Sequence, residues 1–141
     1  MLANTAEIRA GCLLEIRADA GYKTAADVDQ LFDKIAVEVA KLRGRGHVAI
    51  ADWRRCPLMA PVAAERIVQR IGAMNAHTVR SAALARVDSP SAVLQFVRLI
   101  REAGLADRKL FFDAEEMMAW LGEVLTPEEQ RRLRDFIVEF K

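Results

Sequence analysis

Residue types able to do chemistry are densest between His47 and Ile67, HVAIADWRRCPLMAPVAAERI. An apolar run ends on the carboxylate of Asp52 and passes through Trp53, Arg54, Arg55 and Cys56 to Pro57. In an open α/β sheet, ligands bind outside the carboxyl ends of the strands. There Asp52 could present a carboxylate, and Arg54 and Arg55 could grip a carboxylate or phosphate as bidentate forks. Together with the apolar Trp53 and Met59 they form the candidate ligand- or partner-binding set. Commoner roles compete with this one: a strand-end Asp satisfies loop N–H groups, and loop arginines are usually solvated.

The other reactive types point to structure. Cys56 has no neighbouring His to make a thiolate, so a buried structural thiol is expected. His47 and His77 each open a strand just after a helix end, with no Cys, Asp or Glu at ligand spacing. That predicts surface histidines at the amino edge of the sheet and no metal site. Ser89 stands before Pro90, which predicts a helix cap rather than a reactive hydroxyl. No phosphate-binding glycine loop, nucleophile elbow or zinc-helix motif occurs. No nucleophile, base and orienter come together, so neither an enzyme nor a cofactor is expected.

The elements that must position these residues alternate along the chain. AEIR and CLLEIRA flank Ala10-Gly11, predicting an opening β-hairpin. Thr24, with Asp27 three residues on, caps a helix striped by Val28, Leu31, Phe32, Ile35, Val39 and Leu42. HVAIADW reads as a strand buried on both faces. The next helix uses Ala60, Ala64, Ile67, Ile71 and Met74. TVRSAALARV is a strand, and the helix after it is striped by Val93, Phe96, Val97 and Ile100. KLFF is the last strand. A capping box of Asp113 and Glu116 opens a helix carrying Met117, Met118, Trp120 and Leu121, and Thr126-Pro127 opens the final one. The order ββαβαβαβαα predicts an α/β fold with a single mixed sheet of about five strands.

A chain of 141 residues without a Gly- or Pro-rich linker predicts one domain, 1–141, with 126–141 as a C-terminal amphipathic helix extension. A net charge of +1, with acids interleaved among the basic clusters, argues against nucleic acid as a partner. The longest apolar run is too short for a transmembrane segment, and charges at Glu7 and Arg9 interrupt any leader. Two cysteines without a CxxC suit a reduced, cytoplasmic protein.

Three stretches carry a resemblance: GCLLEIRADAGYKT before the first helix, HVAIADW ending in Asp, and RKLFFDAEEMMAWL. With the element order, they resemble the STAS fold and, within it, the bacterial SpoIIAA-like family related to SEC14-type lipid-binding domains. STAS proteins of the anti-sigma-factor-antagonist type carry a phosphorylatable Ser where the second helix begins. The matching turn here is Met59–Ala63, and Ala60, Pro61 and Val62 offer no hydroxyl. The resemblance therefore implies a non-enzymatic regulatory or protein-interaction module without the phosphosite. The alternative, through the SEC14 relation, is a binder or carrier of a small apolar or lipid-like ligand. The last helix adds an apolar stripe of Leu133, Phe136, Ile137 and Phe140. Packing on its own sheet is the simplest outcome for that stripe, and a homodimer contact is the other expectation.

Overall fold

The computed structural model describes residues 3–139. Five strands form one sheet in the order β1-β2-β3-β4-β5. They are β1 (Asn4–Ala10), β2 (Leu13–Ala18), β3 (His47–Asp52), β4 (Thr78–Leu84) and β5 (Arg108–Phe111). The hairpin β1–β2 is antiparallel, and every later pairing is parallel. The helices are α1 (Ala25–Ala40), α2 (Pro61–Ala73), α3 (Pro90–Ala103), α4 (Ala114–Gly122) and α5 (Pro127–Val138). The α/β class, the mixed sheet and the order ββαβαβαβαα are as the sequence predicts. None of these helices is long and apolar enough to cross a membrane.

Side chains alternate along a strand, so each strand feeds two cores. Leu14, Ala49, Trp53, Ala83 and Ala85 face α1, α2 and α3 in one cluster with Phe32, Ile35, Ile67 and Phe96. Leu13, Val48, Ile50, Ala82 and Leu84 face α4 and α5 in the other, with Met117, Leu121, Leu133, Phe136 and Ile137. Odd residues of β2 and even residues of β3 thus share the α5 side. That parity carries Glu15, Arg17 and Asp52 to α5, and His47 and Arg108 to the opposite face.

Local chemistry sets the helix starts. Thr24 and Asp27 form the expected capping box, and Ser89 accepts from Ala92 N at 3.4 Å with Pro90 in the first turn. Asp113 caps α4 by accepting from Glu115 N at 3.0 Å, and the Asp113–Glu116 box predicted from sequence does not form. Instead the box forms at α5, between Thr126 and Glu129.

The stripe of α3 differs from the expectation. The buried residues are Ala92, Phe96, Leu99 and Ala103, while Val97 is 44 % exposed. Small alanines let α3 sit close to its neighbours, so the buried side is set by contact rather than by ranked hydrophobicity. On α2 only Ala63 and Ile67 are fully buried; Ala60, Ala64, Ile71 and Met74 pack half-buried at the margin.

Helix α5 is tied to the hairpin along its length. Glu129 turns back to accept from Cys12 N at 2.6 Å, where Gly11 adopts φ +51° and any Cβ would overlap the Glu129 carboxylate. In mid-helix, Arg132 grips buried Glu15 with both nitrogens at 2.8 and 3.0 Å, and this partner holds the guanidinium above its ordinary pKa. Leu133, Phe136 and Ile137 are 1, 3 and 6 % exposed within the chain. Within the chain these three side chains pack on their own sheet. Phe140 lies outside the described residues.

Candidate functional site

At the carboxyl end of β3, Asp52 turns to the α5 side of the sheet. It is 1 % exposed, and two arginines saturate it. Arg17 Nη1 donates to Oδ2 at 2.8 Å, while Arg54 donates from Nε to Oδ1 and from Nη2 to Oδ2, each at 2.9 Å. The same guanidiniums continue to the last carbonyls of α5: Arg17 Nη2 donates to Phe136 O, and Arg54 Nη2 to Ile137 O at 3.0 Å. Helix C-terminal carbonyls carry the negative end of the dipole and are otherwise unsatisfied, so cations belong there. Arg17 also stacks 4.0 Å above the Phe136 ring. The cluster is a latch that closes α5 over the sheet.

The rest of the predicted set disperses. Arg55 leans toward Asp19 at 3.9 Å. Trp53 is buried against Phe96, ring centroids 5.0 Å apart, and Met59 is core. The Met59 backbone is held from both sides by Gln95, which accepts from its N–H and donates to its carbonyl at 2.8 Å each. Cys56 is a buried thiol as expected; burial first, and the Asp19 charge second, push its pKa up to about 12. It therefore stays protonated and is a poor nucleophile. Cys12 lies at the opposite end of the sheet, and both thiols are free.

Between the sheet and α1–α3 lies a cavity of about 50 Å³. Its cause is the choice of side chains on the two central strands. Ala49, Ala51, Ser81 and Ala83 form a floor of small residues, and Leu31, Phe32, Ile67 and Trp53 wall it without filling it. The space is several times what one water requires, about 10–15 Å³. Its amino end is polar, formed by His47, Thr78, Ser81 and Arg108. His47 and Arg108 are 1 and 6 % exposed. Burial, then the charge of Arg108, then His77, lower the His47 pKa to about 4, so the ring is neutral at neutral pH. Burial lowers the Arg108 pKa to about 10, which leaves it a cation. Within the described residues, His47 Nδ1 and Arg108 Nε are buried without a hydrogen-bond partner.

No family model, curated protein or solved structure matches the chain.

Among the described residues, no three His, Cys, Asp or Glu side chains gather where a metal ion could sit. In the carboxyl-end cluster Asp52 is buried against Arg17 and Arg54. The cavity is apolar except at its amino end, where His47, Thr78, Ser81 and Arg108 line it. Of the predicted ligand set, only Trp53 lines it.

The sequence predicts His47 on the surface, whereas it is among the most buried side chains. The edge it occupies is covered by the Met74–Thr78 turn, whose Thr78 sits opposite it in register. Arg108 was not singled out, because it stands between Asp107 and Lys109 in a run that reads as solvated. The signal was its period-two relation to Leu110, which shares its face of β5.

Proposed function

We propose that this chain is a non-enzymatic α/β module that holds a small, largely apolar ligand between its sheet and helices α1–α3. One observation carries this reading: an apolar cavity with an alanine and serine floor, closed at its amino end by His47, Thr78 and Arg108. Native interiors are close-packed, so a gap of several waters' volume suits an occupant. Small-ligand sites have this composition, mostly apolar with few placed polar groups. Two unpaired thiols fit a reducing, cytoplasmic setting.

Native mass spectrometry of freshly purified protein, with calorimetric titration of 1-hexanol, tests the proposal. Retained small-molecule mass or saturable hexanol binding is expected. Ala49→Leu, which fills the floor, should abolish it while leaving the unfolding midpoint unchanged or raised. No retained mass and no hexanol binding would end the reading, as would binding indifferent to the substitution.

A second reading, a STAS/SpoIIAA-like module acting through protein contacts, is supported by the element order and by the start of α2. Ala60 caps that helix without a side-chain hydrogen bond. Leu58 and Val62 beside it are 55 and 56 % exposed, and Leu94 on α3 is 72 % exposed. Exposed apolar side chains of this kind would suit a contact surface. Loss of a co-purifying protein from Leu58→Ser/Val62→Ser, with hexanol binding intact, would favour this reading.

A further inference from the structure

One edge of the sheet is open. Among the described residues β5 has β4 as its one neighbour in the sheet. Ser81 N donates to Asp107 O and Ala85 N to Phe111 O, each at 2.9 Å. In a parallel ladder, alternate residues of a strand bond to the same neighbour. Lys109 therefore also turns its peptide groups to β4, and the N–H and carbonyl of Leu110 point outward. Beside this edge a groove of about 600 Å³ runs between β5 and α3. Val97, Ile100, Leu110 and Phe112 give it an apolar floor, and Val97 and Phe112 are 44 and 43 % exposed. Its charged lining residues are Arg101, Arg108 and Lys109, and among the described residues no carboxylate lines it. The acids nearest along the chain do not balance these cations. Asp113 caps α4, Glu102 pairs with Arg98, and Asp107 stays outside the lining.

We propose that this edge takes up an extended, acidic segment of a partner protein as a sixth strand. An added strand satisfies the outward peptide groups of Leu110, and its alternate side chains supply specificity. The parity of β5 dictates what the segment carries. Leu110 faces the α3 side, so segment residues on that side lie against Val97, Ile100 and Phe112 and are apolar. Lys109 faces the α4 side, its Nζ 5.0 Å from the centre of the Trp120 ring, so segment residues on that side are acidic. Exposed Arg101 adds to the same positive field. The occupant thus alternates apolar and acidic residues. A lysine on a short edge strand is a common guard against unwanted pairing. Here it also sets the sign of the partner. A second copy of this chain fits poorly, since edge-to-edge pairing would set Lys109 and Arg101 against their own kind.

Fluorescein-labelled peptides alternating Val with Glu, Gln or Lys over four repeats, titrated into the full chain and read by anisotropy, test this. The Val-Glu peptide is expected to bind about tenfold more tightly than the Val-Gln peptide, since several exposed ion pairs are each worth a few-fold. The Val-Lys peptide should not bind. In the exposed-site variant Lys109→Glu the order of the Glu and Lys peptides should reverse. Two further Val-Glu peptides carry N-methyl groups on all valines or on all glutamates. One should lose binding and the other keep it, because only alternate residues of an added strand face β5. In the unmutated protein the Leu110 amide should gain protection from hydrogen exchange when the Val-Glu peptide binds. No saturable Val-Glu binding at about 1 mM, equal binding of both methylated forms, an unmoved Leu110 amide or an unchanged preference in Lys109→Glu overturns the proposal. Concentration-dependent dimerisation of the unliganded chain that protects Leu110 assigns the edge to a second copy and overturns it as well.

Discussion

Asp52 and Arg108 are both buried ionic side chains at strand ends, and they have opposite fates. Asp52 meets two guanidiniums and the end of α5 and is fully compensated. Arg108 meets only neutral oxygens. Removing one partner of a buried pair costs far more than the pair contributes, because the remaining charge stays desolvated. Asp52→Asn keeps the shape and removes the buried carboxylate that Arg17 and Arg54 both grip, leaving Arg17 the more distant Glu139 at 3.6 Å. It should destabilise the fold by about 3 kcal/mol, within the range for broken buried pairs. Urea unfolding measures this; a loss below about 0.5 kcal/mol, the scale of an ordinary surface change, would mean that the cluster is a solvated ion pair and not a latch.

At the scale of elements, α5 decides whether the sheet has one protected face or two. Its Leu133, Phe136 and Ile137 cover Leu13, Val48 and Ile50, and its polar side grips the hairpin through Glu129 and Arg132. The helix thus behaves as a covering layer of the fold more than as an appendage to it. Phe136→Ala should cost about 3–5 kcal/mol, the usual range for a core ring. The loss should be independent of protein concentration, since the ring is buried within one chain. Light scattering combined with urea titrations over a hundredfold dilution checks both points. A midpoint that moves with concentration in the wild type would return the stripe to a dimer surface.

For the whole molecule, His47 couples stability to pH. The ordinary histidine pKa of 6.5 falls to about 4 in the fold, chiefly through burial. Between those values the unfolded chain binds a proton that the folded chain refuses. Stability is therefore fully present above pH 6.5 and is lost as pH falls toward 4. The loss amounts to at most about 3 kcal/mol for one histidine. Asp27, Asp29, Glu38 and Glu139 have lowered pKa values and act only below the usual carboxylate range. The interval above about pH 4.5 therefore isolates the imidazole. Urea midpoints measured across it should slope in the wild type and flatten in His47→Gln, and parallel slopes would remove His47 from the account.

The sequence by itself determined what depends on neighbours along the chain. Thr24 with Asp27, Ser89 before Pro90 and Thr126 before Pro127 announce helix starts because caps act within one turn. The apolar stripe of α1 and the turn at Gly11 are equally local, and together they dictate the order of elements and the α/β class. What the candidate residues do was decided only by the tertiary structure, because it turns on which face of the sheet each side chain reaches and what covers that face. Asp52 reads as an open strand-end carboxylate until β2 brings Arg17 beside it, 35 residues away in sequence, and α5 closes over both. His47 and Arg108 read as surface residues until α1–α3 bury their side of the sheet. The cavity follows the same logic. Ala49, Ala51, Ser81 and Ala83 look like unremarkable small residues on separate strands, and only parallel pairing of β3 with β4 assembles them into one floor. Empty volume and unpaired charge are properties of three-dimensional packing, and no local pattern encodes them.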